Sequence, residues 1–409
     1  MSSDILQSGV KPDGGSTPQS KAPPVNKPKF WNDPKKRSLL FQVLLLAALG
    51  FVFYTIIQNT LTNLEQRGMT TGFDFLSREA GFGIAMSLID YTEASSYGMT
   101  FLVGLLNTIL IAVMGIFAAT ILGFILGVAR LSDNWLIAKF SALYIEVFRN
   151  IPLLLQIFFW YYAVLRTLPT PRQSLEFFGS FLNNRGLIMP APVPEDGFGL
   201  VTIGFFAAIV ASWLIARWSR KRQELIGQQF PVILTSIGLI VGVPLLLFLF
   251  SGLPLGLDHP ELKGFNFKGG ITVIPELIAL WLALSIYTAS FIAETVRAGI
   301  LAVSHGQTEA ATALGMSKAK TLRLIVVPQA MRVVIPPLTS QYLNLTKNSS
   351  LATAIGYPDL VNVFAGTTLN QTGQAIEVIA MTMAVYLTLS LLTSFFMNWY
   401  NARIQLTER

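Results

Sequence analysis

Three polar runs stand at the ends of long apolar stretches, and their residue types suit the binding of a small charged molecule. An amide, a carboxylate or an ammonium group at membrane depth is unfavourable unless it finds a partner in the protein or in a ligand. Each run is therefore either a structural pairing or part of a pathway for such a molecule. The pathway candidates in these runs are Gln156, Glu294, Lys347, Asn348 and Ser349.

Both interpretations stay open for each run. Glu294 follows a long apolar run, and Arg297 at i+3 is its plain partner, so the structural pair is slightly favoured over a carboxylate that binds an ammonium group. Gln156 fits a satisfied interfacial glutamine as well as it fits a substrate contact. Lys347 closes an interrupted apolar run, where it suits either a carboxylate contact or the outer interface of the membrane.

The composition excludes several catalytic chemistries. The chain contains no cysteine, which rules out disulfides, thiolate metal sites and cysteine nucleophiles. With only His259 and His305, a histidine-based metal or acid–base site is not expected. No Gly-x-x-x-x-Gly-Lys-Ser/Thr run occurs, so the chain has no phosphate-binding loop. We therefore predict no catalytic residue and no metal site.

A short helix with a defined stop is predicted in one polar loop of the chain. Ser304 and Gln307 have the spacing of a capping box, and Gly315 is a natural residue just beyond a helix end. Ser317 is placed to cap a second helix, which Pro328 interrupts. Small, exposed side chains on the first helix would let another protein approach closely. An ordinary cytoplasmic loop with one helical turn explains the same spacing about as well. The residues that define this helix are Glu309, Ala310, Ala311 and Gly315.

The chain has the composition of a polytopic membrane protein. Of its 409 residues, 52% are hydrophobic and 12% are charged, against about 25% charged in a typical soluble domain. Apolar runs of membrane-spanning length recur, so an all-α fold with eight spans is predicted. The seventh span is the weakest, because Arg332, Pro336, Pro337 and Gln341 interrupt it and predict a broken helix. The spans are expected near residues 38–57, 100–129, 147–168, 199–218, 230–251, 273–296, 326–346 and 375–398.

The distribution of positive charge sets the expected topology. With the N-terminus inside, 21 of the 29 Lys and Arg residues fall on the cytoplasmic side. Both termini and the loop around Glu309 are therefore expected inside, and the net charge of +7 reflects topology rather than nucleic-acid binding. The expected divisions are a disordered cytoplasmic tail (1–37), a first span (38–58), an outer loop (59–99), a membrane domain (100–400) with an inserted region (169–272), and a cytoplasmic C-terminus (401–409).

The loop around Glu309 resembles the EAA loop of the permeases of ABC importers. That pattern is Glu-Ala-Ala, three residues, Gly, nine residues, and Ile-x-Leu-Pro. The sequence matches it from Glu309 to Pro328, except that Val327 stands at the Leu position. The resemblance implies a coupling helix that sits in a groove of a separate ATPase subunit. The coupling residues that it implies are Glu309, Ala310, Ala311 and Gly315.

The three polar runs are similar to signatures of the polar amino-acid (HisMQ-like) permeases. The run from Glu146 resembles Glu-x-x-Arg-Gly-Thr-Pro-Leu-Leu, with Asn150 and Ile151 in place of Gly and Thr, and Lys347 begins a Lys-x-Ser-Ser-Leu segment. The layout closely resembles the larger permease subunit of general L-amino acid importers (the AapQ/BztB type). This implies a type I ABC importer permease (MetI-like) core of five spans plus three additional spans.

The resemblance also implies partners and an energy source. They are a second permease subunit, an ABC ATPase dimer and a periplasmic amino-acid-binding protein, assembled in a bacterial inner membrane. This chain would hold no cofactor, because ATP and Mg would bind to the ATPase, and an L-amino acid would be its substrate. Two alternatives from other classes remain: a secondary transporter driven by an ion gradient, and a membrane scaffold that transports nothing.

Overall fold

The computed structural model describes residues 34–66 and 72–404. The chain forms two compact units, Met1–Thr70 and Thr71–Arg409. Most of the predicted tail, residues 1–33, therefore lies outside the described residues.

The first unit contains helix α1, Pro34–Gln66. Its segment Lys36–Thr60 is long and apolar enough to cross a membrane. The helix begins at Pro34, before the predicted boundary at residue 38, because proline fits the first turn of a helix, where its missing N–H is not needed.

The second unit consists mainly of apolar helices. Within the described residues of the whole chain, seven helices are long and apolar enough to cross a membrane, and one bent helix pair raises the number to eight. The predicted polytopic, mostly helical fold is confirmed. The helices of this unit are α2 (Tyr97–Ala129), α3 (Trp135–Asn150), α4 (Leu153–Phe158), α5 (Phe198–Ile226), α6 (Val232–Phe250), α7 (Pro275–Leu301), α8 (His305–Ala313), α9 (Lys318–Thr321), α10 (Val327–Asn348), α11 (Leu369–Thr372) and α12 (Ala375–Ile404).

Helix α7 lies at the centre of the core. Its residues Leu280, Leu284 and Ile292 are completely buried, and the helix packs against α2, α3, α4 and α10. The two long helices α5 and α6 instead pack mainly against each other.

The predicted third span is bent at its start. Helices α3 and α4 meet at an angle of 104°, and Ile151 and Pro152 between them are extended. A residue before proline avoids the helical region, which explains the break. After α4 the chain continues as a π-helix to Leu165, so only residues from Leu153 onward form the span itself.

The prediction of a broken seventh span at Pro336 and Pro337 is wrong. Helix α10 continues through both prolines, which is tolerated in membrane helices where neighbouring helices and local adjustments satisfy the freed backbone groups. The irregular backbone lies instead on either side, in a π-helix at Leu322–Val326 and a 3₁₀-helix at Ser349–Ile355. A second π-helix, Val361–Thr368, leads into α11.

Two loops that the sequence analysis left without structure contain short strands. One sheet has the order β1-β2-β3-β8, and two ribbons pair β4 with β5 and β6 with β7, all antiparallel. Strands of three or four residues are too short to show a hydrophobic alternation, so they could not be predicted from the hydrophobic pattern. They are β1 (Leu175–Phe177), β2 (Ser180–Asn183), β3 (Gly186–Met189), β4 (Ala191–Pro194), β5 (Leu255–Asp258), β6 (Glu261–Lys263), β7 (Asn266–Lys268) and β8 (Ile271–Val273).

Two glycine pairs have the Gly-x-x-x-Gly spacing that permits close helix packing. At Gly127 in α2, an added Cβ would lie 2.6 Å from the carbonyl oxygen of Ala293 in α7. At Gly238 and Gly242 in α6, an added Cβ would find no atom within 4 Å in the part of the chain that the structure describes. Identical spacing thus makes a tight contact in α2 and none in α6.

We expect Gly127→Leu to destabilise the protein by at least about 2 kcal/mol, because the side chain must displace α7 or its own helix. Thermal unfolding of the detergent-purified protein measures this, with Gly238→Leu as a control in open space. Equal melting temperatures for the two variants would contradict the described packing of α2 on α7.

Candidate functional site

One cavity of about 310 Å³ opens between α3, α7 and α10. Arg149, Glu294 and Gln341 are among its polar lining residues, while Phe291 and Pro337 form part of its apolar wall. Helices that are distant in sequence thus bring a guanidinium, a carboxylate and an amide to one space. The sequence selected only Glu294 among these as a pathway candidate, since spacing along one helix does not reveal which helices face each other.

Glu294 is held by two arginines. Its carboxylate oxygens lie 2.6 Å from Nη1 of Arg130 and 2.6 Å from Nη2 of Arg297. Arg297 is the partner expected from the sequence, whereas Arg130 comes from the end of α2. The structural pair is therefore present, and Glu294 also lines the cavity. Two positive charges on one carboxylate leave the group with a net positive charge.

Arg149 adds a further positive charge to this cavity. Its guanidinium lies 5.1 Å from the centre of the Phe291 ring, a cation–π distance. Among the described residues it forms no salt bridge with a carboxylate, including Glu146 three residues earlier. Arg149 and the Arg130–Glu294–Arg297 group together carry an excess of positive charge at and beside the cavity, which suits a carboxylate group of a ligand.

Gln156 stabilises the bend between α3 and α4. It is only 3% exposed, and its Nε2 donates to the carbonyl oxygens of Phe148 and Ile151, each at 3.0 Å. Gln156 lies in the first turns of α4, and the cavity lining does not include it. Its side chain satisfies carbonyls that the bend frees.

One face of α10 carries exposed polar side chains in consecutive turns. Ser340, Asn344 and Lys347 are exposed, and Gln341 and Asn348 are half-buried. Polar side chains on a membrane helix are favourable only where they face another protein element or a water-filled path. This surface, the α10 polar face, consists of Ser340, Gln341, Asn344, Lys347 and Asn348.

Ser349, the last pathway candidate, is not part of this face. It is completely buried at the start of the 3₁₀-helix, and its hydroxyl donates to the carbonyl oxygen of Thr346. Downstream, the chain is fixed to α2: Thr108 accepts from the N–H of Leu360, and Asn107 donates to the carbonyl oxygen of Pro358. Ser349 therefore belongs to a rigid segment behind the α10 polar face.

The polar loop forms the predicted short helix, α8. It ends as expected just before Gly315, which has a φ of +73°, and the N–H of Met316 donates to the carbonyl oxygen of Ala311. Ser317 caps α9 as predicted. Ser304 precedes α8 without a side-chain cap, so the capping box is not formed.

The exposure of α8 differs from the expectation at one residue. The side chain of Glu309 is 70% exposed, and its carboxylate lies 3.0 Å from Nδ1 of His305. Ala310 is also exposed. Ala311, expected to be exposed, is only 1% exposed. Ala310 and Ala311 differ because neighbouring residues on a helix point in different directions.

Comparisons with known proteins agree with this geometry. Residues 201–406 match the family model described as "Binding-protein-dependent transport system inner membrane component". The chain is 56% identical over 379 residues to the general L-amino acid transport system permease protein AapQ of Rhizobium johnstonii, covering 92% of this chain and 94% of AapQ. It is 42% identical over 411 residues to the glutamate/glutamine/aspartate/asparagine transport system permease protein BztB of Rhodobacter capsulatus, covering 92% and 96%.

The membrane-spanning helices define an integral membrane protein, and the family match makes it a component of a transport system. With the relatives above, the chain belongs to the amino-acid ABC transporter permeases of the importer type. The resemblance to polar amino-acid permeases is thereby confirmed. Its homologues are transport permeases rather than enzymes, and ATP hydrolysis occurs in a separate ATPase subunit in these systems.

Proposed function

We propose that this chain and a second permease subunit together form the translocation pathway of an ATP-driven importer of L-amino acids. The complex also contains an ABC ATPase dimer and a periplasmic binding protein. It lies in a bacterial inner membrane with both termini of this chain in the cytoplasm. The observation that carries the proposal is the α10 polar face beside the cavity of Arg149 and Glu294.

The α10 polar face supports the second subunit. The exposed amide of Asn344 and the exposed ammonium of Lys347 would be unfavourable against lipid. A second permease across this face would enclose a polar path between the two proteins. That path would then be lined by Lys347, Asn348 and Gln341. The buried Ser349 would stabilise the segment that follows α10.

The α8 helix supports coupling to an ATPase. Glu309 and Ala310 are exposed at the far end of the central helix α7, and Gly315 fixes the direction of the chain beyond them. A short helix at the membrane surface with small and acidic side chains fits a groove on a soluble partner. In the proposed mechanism, ATP-driven closure of the ATPase moves this helix, which is joined directly to α7.

The excess positive charge of the cavity supports a substrate with a carboxylate. AapQ is named for general L-amino acids, and BztB for glutamate, glutamine, aspartate and asparagine. All of these carry an α-carboxylate, which Arg149 would bind. Glu294 would orient Arg130 and Arg297 and contribute a carboxylate to the cavity wall. Gln156 would stabilise the bend between α3 and α4 that positions Arg149.

We expect Asn344→Leu to lower uptake a few-fold to about tenfold, the loss of one polar contact along the path. The melting temperature should not fall, since the exposed Asn344 side chain has no hydrogen bond within the described chain. Thr388→Leu is the control, because Thr388 is exposed on α12 and its hydroxyl bonds to its own helix. Uptake that is unaffected by Asn344→Leu would argue against a path along α10.

Assembly gives the direct test of the proposed partners. The chain is co-expressed with its proposed second permease and ATPase, and the complex is purified through a tag on the ATPase. We expect all three chains to elute together and Glu309→Lys to release the ATPase. A chain that purifies without any ATPase would contradict the proposal and favour a secondary transporter or a scaffold.

A further inference from the structure

The turn between β1 and β2 displays an aromatic side chain in an unusual backbone conformation. Phe178 and Gly179 have φ angles of +49° and +73°. Two-residue hairpin turns with both angles positive favour Asn-Gly, because a side chain such as phenylalanine is strained there. The Phe178 side chain is nonetheless fully exposed, at 101%. The chain therefore carries a large apolar ring in water on a strained turn, without a contact inside the described protein that explains it.

Strand register places this turn at the end of the sheet that is farthest from the membrane helices. Val273 of β8 lies just before α7 and pairs with Leu187 of β3. The same row continues through β2 to Leu175 of β1. From Leu175 the strand runs away from this row to Phe177, which pairs with Ser180 across the turn. Phe178 thus lies at the end of the sheet away from the start of α7.

The β4–β5 ribbon also extends from the membrane helices to the β1–β2 turn. Strands β4 and β5 connect to α5 and α6 at the pair Pro194–Leu255, and their other end is the pair Ala191–Asp258. A Cβ at Gly179 would lie 3.7 Å from Pro190 and 3.7 Å from His259, the residues next to that other end. The turn is therefore at the far end of both strand systems. We call Phe178, Gly179, Pro190 and His259 the outer apex.

The position of the outer apex selects among the partners of the proposed complex. Helix α7 has 27 residues, about 40 Å, and separates β8 from the loop before α8. An ATPase at α8 therefore cannot reach the outer apex, and a second permease against α10 lies within the membrane. Exposed aromatics often anchor in lipid interfaces, but here the row from Val273 to Leu175, rather than Phe178, is next to the membrane helices.

We infer that Phe178 is an anchor for the periplasmic binding protein, and that its ring inserts into an apolar depression on that protein's surface. The inference rests on the proposed function, which supplies a partner on this side of the membrane. Aromatic side chains are frequent hot spots of protein interfaces because they bury a large area with few rotatable bonds. The two-residue turn fixes the direction in which the Phe178 side chain leaves the backbone, which lowers the entropy lost on docking.

The test uses Phe178→Asn in the complete complex, reconstituted in nanodiscs with its ATPase and second permease. ATPase activity is titrated with purified binding protein saturated with its amino acid. Asparagine suits a positive φ, so the melting temperature should be unchanged or higher. The half-saturating concentration of binding protein should rise on the order of 10- to 100-fold. The basal ATPase rate and the maximal rate at saturation should be preserved.

Leu253→Asn is the matched control. Leu253 also has a positive φ, +60°, and is an exposed apolar residue, but it lies three residues after α6, at the membrane end of the β4–β5 ribbon. We expect no change in half-saturation for this variant. An unchanged half-saturation for Phe178→Asn, or an equal rise for both variants, would overturn the assignment. If the ATPase activity of the wild-type complex does not respond to the binding protein, that result would contradict the proposed function itself, and with it this assignment.

Discussion

Replacing Gly315 with valine is expected to reduce uptake to background while the protein still folds and inserts. Gly315 has a φ of +73°, which a β-branched side chain adopts only at a cost of about 1–3 kcal/mol. The last turn of α8 would unwind to relieve that strain, and the bond from Met316 to Ala311 would break. An added Cβ meets no atom within 4 Å, so strain, rather than a steric clash, causes the effect.

Three measurements separate a coupling defect from misfolding: membrane abundance, melting temperature, and ATP-dependent uptake in proteoliposomes. Gly227→Val is the matched control, because Gly227 follows α5 with a φ of +75° and equally open surroundings. We expect Gly227→Val to retain most of its uptake, and Glu309→Lys to behave like Gly315→Val. Normal uptake by Gly315→Val at normal abundance would show that α8 does not transmit the motion of an ATPase.

Glu294→Gln is expected to have the second large effect. The substitution leaves Arg130 and Arg297 close together without their shared carboxylate. The three side chains are roughly a quarter exposed, so we expect a loss of about 1–3 kcal/mol of folding free energy rather than the larger penalty of a fully buried pair. Uptake should fall as well, because the wall of the cavity is distorted.

A compensating substitution separates the two roles of Glu294. The double variant Glu294→Gln with Arg130→Gln removes one negative and one positive charge, and its melting temperature should recover. If Glu294 contacts the substrate, uptake and the preference among acidic, neutral and basic amino acids should stay altered in this variant. Recovery of uptake with the original preference would mean that Glu294 serves only as the structural partner of the arginines.

Local features of the fold were predictable, because they depend on residues close in sequence. The apolar runs predicted the spans, Gly315 predicted the end of α8, and the i, i+3 spacing predicted the pairing of Glu294 with Arg297. The orientation of Ala311 was not, since it depends on which side of α8 faces the rest of its loop. The continuity of α10 through Pro336 and Pro337 likewise depends on neighbouring helices that satisfy its backbone.

Contacts between residues far apart in the chain could not be predicted from a single sequence. Arg130 reaches Glu294 across 164 residues, and Arg149 faces the same cavity only because the chain bends by 104° after α3. Glycine spacing was equally ambiguous, because Gly127 packs against α7 whereas Gly238 contacts nothing nearby. In each case the missing information is which surface of one helix meets another.

The central claim, an ATP-driven amino-acid importer, is tested most directly by uptake of a panel of labelled L-amino acids into proteoliposomes. These contain this chain, the second permease and the ATPase, each with and without ATP and the binding protein. We predict uptake only when both ATP and the binding protein are present. Several L-amino acids should be taken up, because the proposed site binds the α-carboxylate that they share. Uptake driven by a proton or sodium gradient in the absence of ATP would contradict the account.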